Sequence, residues 1–145
     1  MAVASNDRKN PANLIAGKHV TVFEEPDIIY MSFGGNASTE DALELLRRQM
    51  EMSKGRSILF FLIDAEKLDN IAPEGRRAVA ETLKEIPLRG MAVIKAPLKA
   101  KVVTKLVITA INLFRRDANL NPIAFFDTED EGRAWISSRR QMFAK

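Results

Sequence analysis

Apolar and polar residues follow two rhythms along this chain, one of strands and one of helices, and Ser57 to Leu88 shows both most clearly. Ser57-Ile-Leu-Phe-Phe-Leu-Ile63 is an apolar run stopped by Asp64, the pattern of a central strand covered on both faces. Asp64 to Ala72 then reads as a short acidic loop, since Asp and Asn are common turn formers. Pro73-Glu74-Gly75 opens a helix, because the fixed φ of proline suits a first helical position. Its stripe is Ala78, Val79, Thr82, Leu83 and Ile86, and Pro87 ends it.

Comparable units lie on either side. Met1 to about Gly17 lacks periodicity and is expected to be an irregular leader. His19 to Glu24 and Asp27 to Phe33 are short strands joined at Glu25-Pro26-Asp27, a connection tight enough to require an antiparallel hairpin. Gly34-Gly35-Asn36 is expected to turn the chain out of the second strand. Ser38 caps the next helix with Asp41 at its third position, and the stripe Ala42, Leu45, Leu46, Gln49 and Met50 runs to Gly55. A strand follows from Leu88 to Lys95, and Pro97 precedes a long helix from Leu98 to about Arg116. On that helix Val102, Val103, Leu106, Val107, Ala110, Ile111, Leu113 and Phe114 cover close to half the circumference. Lys101, Lys105, Asn112, Arg115 and Arg116 cover the other side, with Ile108 an exposed hydrophobe among them. Asn121-Pro122 leads into a fifth strand, Ile123 to Phe126. Asp127 starts a last helix bearing Trp135, Ile136, Met142 and Phe143, with an acidic first turn that suits the positive end of its dipole.

The order β-β-α-β-α-β-α-β-α predicts a single α/β domain over residues 18–145, with four helices on a five-stranded mixed, mainly parallel sheet. A chain of 145 residues is long enough to bury a core without covalent staples. It contains no cysteine, which excludes disulfides, thiolate metal sites and cysteine nucleophiles. The longest apolar run, Ile58 to Ile63, is far shorter than the roughly 18 residues of a membrane span, so no integral membrane segment is expected and a cytoplasmic setting is. Charge is uneven: residues 86–126 carry seven basic residues against Asp117 alone, while residues 38–85 carry eight basic and ten acidic. Such a basic third marks either a solvated face or a surface for anionic partners.

The hairpin with three strand–helix units, the Asp ending the central strand, Pro73-Glu-Gly-Arg-Arg77 after the loop, and Phe125-Phe-Asp-Thr-Glu-Asp-Glu-Gly-Arg-Ala-Trp135 together resemble STAS-like proteins over about residues 18–140. These are small bacterial relatives of the anti-sigma factor antagonists, often grouped with the CRAL-TRIO lipid-binding fold. In the antagonists, a serine within an Asp-Ser-Ser-Gly type sequence at the start of the helix after the central strand is phosphorylated by a partner kinase. With Gly75 at the glycine position, the resemblance puts Ala72-Pro73-Glu74 where Asp-Ser-Ser is expected, so the switch hydroxyl is missing. Glu74 is then either an ordinary first-turn acid or a permanent negative charge imitating the phosphorylated form.

No catalytic constellation emerges from the residue types. His19 is the single histidine, and one histidine does not make a triad or a zinc site, which need convergent partners; it is expected on the surface. Asp64, Asp69 and Asn70 flank the end of the central strand, where open α/β sheets bind ligands, and an enzyme would need Asp64 and Asp69 to converge with Lys67 or His19. Gly34-Gly35-Asn36 before a helix is a weak phosphate cradle without further glycines or a Gly-Lys-Ser/Thr. Nucleic-acid binding is not expected, because the basic residues are not interleaved with aromatics. No metal or cofactor is implied. The leading expectation is a non-catalytic regulatory or scaffolding interaction module that forms a homodimer, using the hairpin edge, the Asp64 to Glu74 loop or the long helix. The alternative is a small carrier of lipids or other apolar ligands. There the long helix is a lid, with Lys101 and Lys105 beside its apolar arc, and a cavity lies next to Val103, Val107, Ile111 and Phe114.

Overall fold

The apolar run around Phe60 and Phe61 becomes the middle of a six-stranded sheet. In the computed structural model, which describes residues 8–113, 115 and 121–144, the strands are β1 (Leu14–Ile15), β2 (His19–Glu24), β3 (Ile28–Ala37), β4 (Leu59–Ile71), β5 (Leu88–Ile94) and β6 (Ile123–Phe126). The helices are α1 (Thr39–Ser53), α2 (Pro73–Leu83), α3 (Leu98–Leu113) and α4 (Glu129–Met142). Strands lie in chain order, β1-β2-β3-β4-β5-β6. The first two pairings are antiparallel and the remaining three parallel. The sixth strand is β1, which pairs Leu14 with Val20 and Ile15 with His19 inside the segment expected to be an irregular leader. It follows a 3-10 turn at Pro11–Asn13.

Strand alternation sends side chains to two cores. Ile29, Met31, Phe61, Ile63 and Val93 face α1, α2 and α3, while Tyr30, Phe60, Leu62, Ala92 and Ile94 face α4. The second face is tied by charge as well as apolar contact. Arg8 and Arg133 both contact Glu24 and Glu129, Arg8 lies over the Tyr30 ring, and Arg140 holds Asp27. Burial alone would raise the Glu129 carboxyl, but its hydrogen bonds from Arg8 and Arg133 hold it down to about 2.

Two stretches expected to leave the sheet stay in it. Gly34 and Gly35 do not turn the chain out; β3 runs on to Ala37 through register shifts between Ser32 and Gly34 and between Gly35 and Ala37, with Gly35 at φ 112°. Its ladder carries Asp64 to Ile71 along, so the expected acidic loop is the second half of β4. Composition pointed to a loop, but Ala65, Leu68 and Ile71 are buried there, and that burial outweighs the turn preference of Asp64, Asp69 and Asn70.

The long helix is rotated from the expected orientation. α3 buries Ala100, Val103, Thr104, Val107, Ile108 and Ile111. Ile108, expected to be exposed, is 4% exposed, whereas Leu98 is 79%, Val102 and Leu106 each 52% and Leu113 75%. A helix apolar over so much of its circumference does not specify its buried face by pattern alone. Arg115, expected on the basic solvated side, is also buried; its guanidinium donates to the carbonyls of Ile86 at 2.8 Å and Leu88 at 3.1 Å, just beyond the end of α2. Phe114 and Arg116 lie outside the described residues. Of the residues expected on the last helix, Ile136 is buried, Trp135 and Phe143 pack at the edge of the second core, and Met142 is exposed.

Gly34 carries a strict constraint, since a Cβ there would lie 2.4 Å from the Lys18 carbonyl oxygen. Gly34→Ala should therefore lower stability by at least about 2 kcal/mol. Urea denaturation checks this, and an unchanged midpoint would contradict the β2–β3 geometry described.

Candidate functional site

The sheet face under α1, α2 and α3 is not filled by the side chains that cover it. Large residues enter from the strands (Met31, Phe33, Phe61, Ile63, Leu68, Ile71 and Met91) and from the helices (Leu45, Leu46, Val79, Leu83, Val107, Ile108 and Ile111), with Ala37 and Ala42 between them. They bound a cavity of about 60 Å³. By that measure one water needs about 10–15 Å³, so the space is several waters large. Its walls are apolar apart from Gln49 of α1 and Thr104 of α3. Val107 and Ile111 line it as the carrier reading requires, whereas Val103 does not and Phe114 lies outside the described residues.

The lid of this space is α3, and its approach and first turn are fastened by charge. Lys95 pairs with Asp64 at 3.8 Å and Lys99 pairs with Asp69. Both carboxylates lie on β4, so the basic third of the chain is partly answered by the acids of the expected loop. Lys95 itself has φ 59°, a left-handed conformation uncommon outside glycine, at the connection from β5 to the helix. Lys101 and Lys105 lean over the Phe125 ring of β6, at 5.9 and 5.5 Å. The outer face of α3 carries Leu98, Val102, Leu106 and Leu113.

The other candidates are separated in space. His19, expected on the surface, is fully buried at 0% exposure, because β1 covers its edge of β2. Its Nδ1 accepts the Gly34 N–H at 3.2 Å, which fixes the proton on Nε2, 3.2 Å from the Asp41 carboxylate. Asp41 also accepts the Ser38 N–H and donates its own N–H to Ser38 Oγ. The capping box thus occupies the start of α1 that Gly34-Gly35-Asn36 was to offer to a phosphate. His19 serves Asp41, Asp64 serves Lys95 and Asp69 serves Lys99, so the histidine and the two loop acids do not meet in one cluster. Among the described residues, no group of three or more His, Cys, Asp or Glu is placed to hold a metal ion, and no helix is long and apolar enough to cross a membrane.

At the switch position, Pro73 takes the start of α2, and Ala72 before it provides no side-chain cap. Glu74 and Asn70 are exposed. Gly75 is buried for a packing reason: a Cβ there would lie 3.0 Å from that of Ala42, so the glycine lets α1 and α2 approach closely.

Four parallel strands joined through three helices on one face, an antiparallel hairpin in front and a single helix behind define a SpoIIAA-like, that is STAS-like, fold. A solved structure supports this assignment. The chain is similar to an uncharacterized protein from the DUF3478 family with a SpoIIAA-like fold from Shewanella loihica, at a TM-score of 0.58 and 14% identity, over 81% of this chain and 90% of that one. No family model matches the chain, and no curated protein matches it.

Sequence reasoning placed Val107, Ile108 and Ile111 on the relevant helix but did not foresee the wall formed by Met31, Phe33, Phe61 and Leu68. Unfilled volume leaves no periodic mark. Gln49, a polar residue within an otherwise apolar stripe, was the available signal.

Burial pushes the His19 imidazole below its ordinary value, against the opposing pull of Asp41. Burial alone would raise Asp41, but the Ser38 N–H and His19 outweigh it and hold the carboxyl below the usual range. For both groups the unfolded chain takes up protons first on acidification. Their contribution is therefore complete above about pH 6.5 for His19 and about pH 4 for Asp41, and is lost as pH falls through the lower folded values. His19→Gln can accept from Gly34 and donate to Asp41 without titrating. Its stability should fall less steeply than that of the natural chain between pH 7 and pH 5 in urea denaturation, and parallel curves would contradict the assignment.

Proposed function

We propose that this chain is a non-catalytic binding domain that carries a small apolar molecule between its sheet and α3. The observation that carries this reading is the apolar space beneath α3. Natural cores are packed at close to crystal density, and an unfilled volume forfeits dispersion contacts along its whole lining. A ligand of the right shape restores those contacts. The lid suits such a role, because α3 follows a left-handed residue and Pro97, and its approach and first turn are held by the partly exposed pairs Lys95–Asp64 and Lys99–Asp69. Pairs of this kind contribute only about 0–1 kcal/mol, so they steady a lid without locking it.

A second reading is favoured by a different observation. Leu98, Val102, Leu106 and Leu113 present an apolar stripe on the outside of α3, and such stripes mark contact surfaces. A regulatory or scaffolding module that self-associates through this stripe would meet its partner there, with Glu74 held as a fixed charge at the exposed start of α2. On this reading Leu106→Glu turns a dimer into a monomer in sedimentation. A species whose mass does not change on that substitution counts against dimerisation through α3.

For the carrier, Val107→Phe fills the space from the lid side. It should raise stability by about 0.5–2 kcal/mol, the range of cavity-filling substitutions, and abolish the displaceable fluorescence of an apolar dye bound by the natural chain. Retained dye binding would show that the dye sits elsewhere and would remove the carrier reading.

A further inference from the structure

We infer that the space beneath α3 selects a neutral apolar molecule bearing one hydroxyl or N–H donor, such as a phenol, an indole or an alcohol, over a carboxylate or phosphate of the same shape. This rests on the carrier reading above and names the ligand chemistry of that same site. Two polar side chains stand in the wall, and the selectivity follows from which of their atoms are already engaged.

Gln49 is 2% exposed. Its nitrogen makes both of its hydrogen bonds, to Thr21 Oγ1 at 3.3 Å and towards Met31 Sδ at 3.5 Å. The orientation of the amide follows from the network. Thr21 Oγ1 spends its one hydrogen on the Tyr30 carbonyl at 3.0 Å, so towards Gln49 it can only accept, and the NH2 group must face it. The amide oxygen is left as an acceptor in an apolar wall, with no donor reaching it among the described residues. Thr104 repeats the pattern. Its hydroxyl hydrogen goes to the Ala100 carbonyl at 2.7 Å, which leaves lone pairs and no hydrogen for a ligand.

The wall therefore offers acceptors and no free donor. An anion entering it would lose its hydration and gain neither a hydrogen bond nor a counter-charge. A fully apolar ligand would fill the volume but leave the Gln49 oxygen unpaired, and buried acceptors without partners are disfavoured. A single donor on an otherwise apolar body satisfies both demands. The same logic explains a glutamine at one of the α1 stripe positions that line the space, beside Ala42, Leu45 and Leu46, where leucine or methionine would pack as well.

The test uses the full chain and four para-substituted toluenes: p-cresol and p-xylene, which match in size, and the larger 4-methylanisole and 4-methylbenzoate. Binding is followed by NMR on the methyl groups of Met31 and Ile108. In the natural chain p-cresol should bind at least roughly tenfold more tightly than p-xylene, which matches it in size and lacks only the donor, the worth of one hydrogen bond in such a site. The anionic 4-methylbenzoate should not bind. In Gln49→Met, the preference for p-cresol over p-xylene should fall by roughly tenfold. Equal binding of p-cresol and p-xylene in the natural chain, an unchanged preference in the variant, or uptake of the benzoate would overturn the donor rule while leaving the carrier reading intact. Failure of every probe to shift either methyl group would overturn the carrier reading and this inference with it. The comparison of p-cresol with the equally sized p-xylene needs no variant and decides the matter even if Gln49→Met does not fold.

Discussion

The parallel pairing of β3 and β4 is the constraint on which the rest of this molecule depends. β4 is buried on both faces through Leu59 to Leu62, and its thirteen residues keep contact with β3 through two register shifts. The length of that ladder has two effects. It carries Asp64 and Asp69 to where they meet Lys95 and Lys99 of the lid segment, and it sets Ala65, Leu68 and Ile71 as an extension of the floor under the helices.

The open space follows from the same extension. Three helices must cover a sheet face widened by the second half of β4, and two of them are drawn together at their N-terminal ends by Gly75 against Ala42. α3 closes the remaining side with Thr104, Val107, Ile108 and Ile111. β-Branched side chains on a lid facing a broad floor do not reach far enough to fill the volume between them. The other face of the sheet is different in kind: α4 lies on it with Gly132 so close that an added Cβ would fall 2.8 Å from Ile94, and Arg8, Arg133 and Arg140 fasten it through Glu24, Glu129 and Asp27. One face is closed by close contact and buried charge, and the other is covered by a helix with weak fastenings.

Much of the architecture was legible in the residues. The helix pattern, the capping signal at Ser38, the hairpin at Pro26 and the buried run at Phe60 and Phe61 all act locally, so sequence alone exposes them; the last helix is capped one residue later than expected, by Thr128 with Glu131 rather than by Asp127. What was hidden depends on partners distant in the chain. Leu14 and Ile15 are too short a run to announce a strand. The second half of β4 looks like a loop until β3 is set beside it. His19 looks like a surface histidine until Gly34 and Asp41 enclose it. The face buried by α3 could not be read from a helix apolar over half its girth, and so Ile108 and the side of Val102 and Leu106 exchanged places. The site was the least legible feature, because a cavity is defined by the atoms that are missing between residues far apart in sequence.

The most direct test of a binding site beneath α3 is native mass spectrometry of the protein purified gently from its source, with and without prior extraction by organic solvent. The chain should carry an additional neutral mass of small-molecule size, extraction should remove it, and the extracted protein should recover it from a source lysate. A bare chain before extraction, which takes up nothing afterwards at any tested concentration, would contradict the claim that the space beneath α3 is a binding site.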